Sequence, residues 1–123
     1  MENQKAKVKT ELEHRAYKYS IAIIEFLDSL PKDVSTTIIT KQLLRSATSI
    51  GANVVEAKGA SSKRDFTNFF NYALKSANES LYWLGLLRDA KKINDKRLEY
   101  LLSETKELAN ILGSSVLTLR GKR

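Results

Sequence analysis

The chain has few of the residues that break helices or build covalent and metal sites. Its 123 residues include no cysteine, one proline, five glycines and one histidine. Without cysteine there is no disulfide and no thiolate to bind zinc, which is typical of proteins in a reducing cytosol. A β-architecture needs a turn every ~8–12 residues, so the scarcity of proline and glycine favours long helices instead.

Long apolar runs are also missing. No run approaches the roughly 20 residues that a helix needs to cross a bilayer, and the first ten residues lack the apolar segment of a signal peptide. We therefore expect a cytoplasmic protein with no membrane partner. Hydrophobic residues make up 42% of the chain and charged residues 28%, which predicts one soluble globular domain over residues 1–123.

Apolar residues recur at steps of three and four in four segments, the pattern of amphipathic helices. Pro31 ends the first segment, and Gly59 stands where a left-handed C-terminal cap is expected after the second. Ser62 and Asp65 resemble a capping box, and Asp95 supplies the last cap. Short connections make consecutive helices antiparallel. The sequence predicts an all-α, up-and-down antiparallel four-helix bundle, with helices over about 7–30, 35–58, 62–91 and 95–120.

The third predicted helix carries a second apolar stripe beside its main one. A monomeric bundle needs one apolar face per helix, so the surplus predicts contact with another subunit. The alternative is a wide core face that the bundle itself covers. This second helix-3 stripe consists of Phe69, Tyr72, Ser76, Glu79, Trp83, Leu86 and Ala90.

The sequence offers little for catalysis. Glu11 and His14 form one Glu-x-x-His step, but bundles that bind two metal ions need this step on two helices. His14 is the only histidine, so a Ser–His nucleophile would require a second subunit. No glycine-rich phosphate loop is present either. We expect a protein that is not an enzyme and holds no metal or cofactor.

Polar residues of the second and third helices are predicted to face each other. If the pair turns near residue 60, Arg45 lies opposite Glu79. Such a seam inside a bundle is either a ligand site or, as we favour, an ion pair with hydrogen bonds that fix helix register. The predicted polar seam consists of Arg45, Ser49, Asn53, Tyr72, Ser76 and Glu79.

The middle of the chain resembles a known family. Residues 42–56, QLLRSATSIGANVVE, resemble the pattern QLxRSAxSIxANIAEG of the four-helix-bundle proteins encoded in 23S ribosomal RNA intervening sequences. Residues 62–70, SKRDFTNFF, are similar to its SxxDFxxFL segment. Residues 73–81, ALKSANESL, are similar to AxGSxxEL. Two positions depart from the pattern, because Ala57 and Lys75 stand where the family has glycine.

The resemblance covers roughly residues 10–119 and is strongest over the three segments quoted. It implies an up-and-down bundle that assembles into a ring, commonly a homopentamer. It also implies a protein with no established enzymatic activity.

The net charge of +7 is concentrated at one end of the predicted bundle. That end gathers the N-terminus, the turn between helices 2 and 3, and the C-terminus, with nine basic and three acidic residues. The other end has six basic and five acidic residues. Basic clusters of this kind bind phosphates. The candidate nucleic-acid contacts are Lys58, Lys63, Arg64, Arg120, Lys122 and Arg123.

Two functional hypotheses follow. In the first, the protein is a non-enzymatic oligomer that binds RNA or another nucleic acid through the basic end. In the second, it is a protein-interaction scaffold whose surplus apolar surface holds a protein partner. The alternative to the first hypothesis is that flexible lysine and arginine tails only keep the bundle soluble. An enzyme is the third and least favoured class.

Overall fold

The described part of the chain folds into four helices. The computed structural model describes the backbone of residues 4–121 and the side chains of residues 11–121. Helix α1 spans Gln4–Asp28, α2 Val34–Ala57, α3 Lys63–Asp89 and α4 Lys96–Leu119, and these residues contain no strand. Each helix packs against the next, and α1 also contacts α4. The prediction of an all-α, up-and-down four-helix bundle is confirmed.

Short polar side chains fix the starts of three helices. Asp33 caps α2, where its carboxylate accepts a first-turn backbone N–H at 3.3 Å. Ser62 caps α3, and its hydroxyl accepts the Asp65 N–H at 3.0 Å, as the sequence predicts. Asp95 does the same for α4 at 2.8 Å. Each of these N–H groups lacks a partner within its helix, so the cap satisfies it.

Helix α1 ends at Asp28, earlier than the predicted boundary near residue 30. Ser29 and Leu30 form a turn in which both amides donate to carbonyls three residues back, at 3.1 and 3.2 Å. Pro31 explains the early end, because a proline disfavours helical geometry for the residue before it. The connection to α2 stays short and keeps the two helices antiparallel.

The core is built from the main apolar stripe of each helix. Burying a leucine, isoleucine or phenylalanine side chain stabilises a fold by about 1.5–3 kcal/mol, so these residues supply most of the driving force for folding. The large side chains that are fully buried include Ile23, Phe26, Leu43, Ile50, Leu84, Leu87, Leu98, Leu101, Leu108 and Leu112.

Four hydroxyl groups, one from each helix, pair inside this core. The Ser46 Oγ and Ser80 Oγ atoms lie 2.9 Å apart between α2 and α3. The Tyr19 hydroxyl and Thr105 Oγ1 lie 2.6 Å apart between α1 and α4. Burial raises the pKa of Tyr19 to about 12, and hydrogen bonds with Thr105 and Ser80 partly oppose that rise. We call these four residues the hydroxyl layer.

Helix α1 is positioned by a close approach on one side and an ion pair on the other. A Cβ atom added to Gly51 of α2 would lie 3.4 Å from the Ala16 Cβ, in van der Waals contact, so the two helices approach closely at this level. On the α4 side, Arg15 Nε and Nη2 donate to the two carboxylate oxygens of Glu104 at 2.7 and 2.8 Å. Two parallel hydrogen bonds of this kind fix orientation as well as distance.

Candidate nucleic-acid interface

The predicted ion pair between Arg45 and Glu79 is wrong. Arg45 is exposed, and its guanidinium donates to Gln42 of its own helix at 3.3 Å. Glu79 instead accepts the Trp83 indole N–H at 2.9 Å. Both carboxylate and guanidinium therefore bond one turn away on their own helices.

The rest of the predicted polar seam also lies off the core. Ser49 Oγ donates to the Arg45 carbonyl at 2.6 Å, and Asn53 Nδ2 donates to the Ser49 carbonyl at 2.8 Å. Ser76 contributes its carbonyl oxygen to the Ser80 hydroxyl, and Tyr72 is 50% exposed. The polar pair that crosses between α2 and α3 is Ser46–Ser80, because the helices are rotated so that these positions, rather than Ser49 and Ser76, face inward.

Part of the second helix-3 stripe is covered by the bundle itself. Phe69 and Trp83 are half-buried and pack against the core, which agrees with the wide-core interpretation for these two side chains. Sequence analysis missed another apolar stripe, on α1. Tyr17, Ile21 and Ile24 are exposed there at steps of four and three, and thus share one outer face of the helix.

Four of the six candidate cations lie at the same end of the bundle. Lys58 is the C-cap of α2, Lys63 and Arg64 are in the first turn of α3, and Arg120 is the C-cap of α4. All four side chains are exposed. Lys122 and Arg123 lie outside the described residues.

Three of these cations surround one shallow cavity of about 350 Å³. Lys63 and Arg64 approach it from the start of α3, and Arg120 from the end of α4. Thr67, Asn68 and Leu119 complete its lining. We call it the cationic cavity. The antiparallel packing of α3 and α4 creates it, because the start of one helix meets the end of the other.

The charges at this end differ in how they are neutralised. Within the described residues, Lys63, Arg64 and Arg120 have no carboxylate partner within 4.0 Å. Lys58, in contrast, pairs with Glu13 of α1, with Nζ and Oε2 3.0 Å apart. The other Glu13 oxygen is buried without a hydrogen-bond partner. Glu13 therefore lowers the positive charge on the α1 side and leaves it concentrated at the cationic cavity.

At the opposite end, three of the six described cations are paired with carboxylates. Arg88 pairs with Asp89 at 2.7 Å and Lys91 with Asp33 at 2.8 Å. Hydrogen bonds from these partners hold the pKa of both aspartates below the usual range. Arg97 pairs in the same way with Asp95, at 2.8 Å. The basic end therefore differs in that its unpaired cations line one cavity. Among the described residues, Lys32, Lys92 and Lys96 of the opposite end are also unpaired, but they line neither that cavity nor the larger one beside it.

A larger cavity of about 1100 Å³ lies beside the cationic cavity. Its floor is apolar, and serine, threonine and asparagine side chains line its walls together with Lys58 and Lys63. We call it the apolar cavity. Lys63 and Leu119 line both cavities, so the two are neighbours at the same end of the bundle.

Within the described residues, no group of three or more histidine, aspartate or glutamate side chains is placed to hold a metal ion, and His14 is exposed on α1. No described helix is long and apolar enough to cross a membrane.

A protein family and a solved structure are similar to this chain in sequence and in fold. Residues 9–114 match the 23S rRNA-intervening sequence protein family. The chain belongs to this family. A solved structure also matches with a TM-score of 0.80 and 34% sequence identity, over 88% of this chain and 96% of the other. It is a protein of unknown function from the S23 ribosomal protein family of Bacteroides thetaiotaomicron. No curated protein matches the chain.

The two departures from the family pattern have simple structural consequences. Lys75, where the 23S rRNA-intervening sequence proteins have glycine, is exposed on α3, so its side chain projects into solvent. Ala57 is 2% exposed and belongs to the core. It is the last residue of α2, as Lys58 and Gly59 already form the turn toward α3.

Proposed function

We propose that the protein binds RNA through the phosphates that its basic end can contact. One observation carries this proposal: among the described residues, Lys63, Arg64 and Arg120 converge on the cationic cavity without carboxylate partners. At the other end, three of the six cations, Arg88, Lys91 and Arg97, are paired. An unpaired cation gains more from a phosphate than a cation that must first give up a carboxylate.

The physical basis of such binding is counterion release. RNA carries condensed cations along its phosphates, and each phosphate neutralised by lysine or arginine returns some of them to solution. Phosphate contacts position the chain without reading bases, so affinity depends steeply on salt and weakly on sequence. This function involves binding alone and no chemical step.

The names of the relatives place them in the context of the ribosome. The chain belongs to a family named for 23S rRNA intervening sequences, and the solved relative comes from a ribosomal protein family. Neither name specifies a ligand, so the choice of RNA rests on the cationic cavity, which is chemically suited to the phosphates of any RNA.

We also propose that the protein self-associates into a ring, commonly a pentamer in the family it resembles. Within the described residues Arg45 has no carboxylate partner, and Glu79 bonds only to the Trp83 indole. The exposed α1 stripe adds apolar surface that a neighbour could cover. Several basic ends on one assembly would bind RNA multivalently, so weak contacts add up to a larger avidity. Light scattering should give about five times 13.9 kDa, and a mass near 13.9 kDa would contradict the ring.

The RNA proposal is tested on the purified full-length protein. We expect host nucleic acid to co-purify at low salt, seen as a raised ratio of absorbance at 260 to 280 nm, and to be lost in high salt. RNAs of unrelated sequence should then bind with similar affinity in titrations. A DNA strand of the same length distinguishes binding to nucleic acid in general from a preference for RNA. Absence of binding at low salt, with a protein that co-purifies regardless of salt, would favour the scaffold hypothesis instead.

A further inference from the structure

The apolar cavity has two kinds of lining at once. Five apolar side chains form its floor: Leu12, Phe66, Phe70, Ile111 and Leu119. Its polar lining combines two lysines with hydroxyl and amide groups that can donate and accept hydrogen bonds. These are Lys58, Lys63, Ser61, Ser62, Asn110 and Ser115, among others. A ligand that matches this lining has a flat or bulky apolar body, polar edges and negative charge nearby.

The position of the apolar cavity next to the cationic cavity further restricts the class of ligand that fits. Lys63 and Leu119 belong to both linings. A phosphate held by Lys63 and Arg64 therefore has its attached nucleoside within reach of the apolar cavity. A free fatty acid would satisfy the apolar floor and one lysine, but it would leave the cationic cavity unused.

The aromatic floor suits a nucleobase. Phe66 is half-buried, lines the apolar cavity and stacks on Phe70, with ring centroids 4.7 Å apart and an angle of 26° between the rings. Bases stack on aromatic side chains irrespective of their identity, because every base has a π-face. In a duplex the bases are stacked inside and cannot enter, whereas a single strand can turn a base outward.

Resting on the proposed RNA binding, we infer that the apolar cavity takes an unpaired base, so that the basic end prefers single-stranded RNA to duplex. Phosphates bind at the cationic cavity, and a neighbouring base enters the apolar cavity against Phe66. The preference comes from base insertion, and the salt dependence comes from the phosphates.

The test compares three RNA probes of one length on the full chain: a single strand, its duplex, and a single strand with abasic positions that keeps every phosphate. Loss of one base–aromatic contact corresponds to about a tenfold weaker affinity. We expect the intact single strand to bind about tenfold more tightly than either of the other probes. Equal affinity for intact and abasic strands would overturn the inference while leaving phosphate binding in place. Failure of all three probes at low salt would instead overturn the proposed function.

Two variants test whether the preference for the intact single strand arises at the apolar cavity. Phe66→Leu removes the ring but keeps an apolar side chain, and Ser115→Leu fills part of the cavity without altering charge. Both should weaken the intact single strand about tenfold and leave duplex affinity and salt dependence unchanged. Ser103→Leu is the matched control, since Ser103 is exposed on α4 and lies about 18 Å along the helix from Ser115. If both variants melt like the wild type and bind the single strand as it does, the cavity holds no base.

Discussion

The hydroxyl oxygens of Ser46 and Ser80 lie 2.9 Å apart in the core, between α2 and α3. Each is also within hydrogen-bond distance of a carbonyl oxygen of its own helix, Ser46 at 3.2 Å and Ser80 at 2.8 Å. Tyr19 and Thr105 form the matching pair between α1 and α4. Sliding any helix along its neighbour would break the hydrogen bonds between helices in the hydroxyl layer, so these pairs favour the observed register.

Removing either hydroxyl of the Ser46–Ser80 pair should destabilise the protein modestly. Ser46→Ala or Ser80→Ala should lower the free energy of unfolding by about 0.5–1.5 kcal/mol, because the remaining hydroxyl still bonds to its own helix. The double variant should cost less than the sum of the single variants, by about 0.5 kcal/mol or more. Urea unfolding measures all three, and strict additivity would show that the two hydroxyls do not interact.

Tyr19 should make stability fall at high pH. Its folded pKa is raised from 10.0 to about 12 by burial, so the folded state keeps a proton that the unfolded state releases. Stability is therefore complete below pH 10 and declines as pH rises toward 12. One pKa unit corresponds to about 1.4 kcal/mol, so we expect a loss of about 2 kcal/mol between about pH 9 and about pH 11.5.

Tyr19→Phe is the control for this titration. The variant lacks the ionisable group, so the part of the decline due to Tyr19 should vanish while changes from lysines remain. The hydroxyl of Thr105 keeps its bond to the Leu101 carbonyl. Identical pH profiles for the wild type and the variant would show that Tyr19 ionises equally well in both states.

The stability that the Arg15–Glu104 ion pair contributes should depend on the geometry of its two hydrogen bonds as well as on charge. The Glu104 side chain is only 12% exposed, whereas that of Arg15 is 38% exposed. Arg15→Met should cost about 1–2 kcal/mol, less than a fully buried pair, because water still screens the carboxylate in part. Arg15→Lys should recover only some of this loss, since lysine cannot form both parallel hydrogen bonds. Thermal unfolding compares the three proteins, and a lysine variant as stable as the wild type would contradict the bidentate contact.

The features that could be predicted from the sequence are those that depend on residues within a single helix. The stripe that includes Leu43, Ala47 and Ile50 repeats along α2, and a cap such as Ser62 acts within one turn, so both are visible in the sequence. The pairing of Arg45 with Glu79 was predicted from numbering around the turn alone. Numbering gives the level along the bundle but not the rotation of each helix about its axis. Rotation decided that serines 46 and 80 face inward.

The candidate interface was also predictable only in part. Antiparallel topology already brings Lys63, Arg64 and Arg120 to one end, because the start of α3 must lie near the end of α4. Topology could not reveal that Glu13 neutralises Lys58, since that contact joins two residues far apart in the chain. The two cavities also depend on how the helix ends pack, for which the sequence has no local signal.

The most direct test of the central claim is the salt dependence of RNA binding in two matched double variants. Lys63→Gln/Arg64→Gln and Lys91→Gln/Lys92→Gln each remove two positive charges, one pair at each end. Each phosphate contact on a single strand contributes about 0.7 to the slope of log affinity against log salt concentration. The first variant should weaken binding to all RNAs and lower the slope by about 1.4. The second should change little, because Lys91 is already paired with Asp33 and the Asp89 carboxylate offsets the charge of Lys92. Equal losses from both variants, or no change in slope with the first, would contradict RNA binding at the basic end.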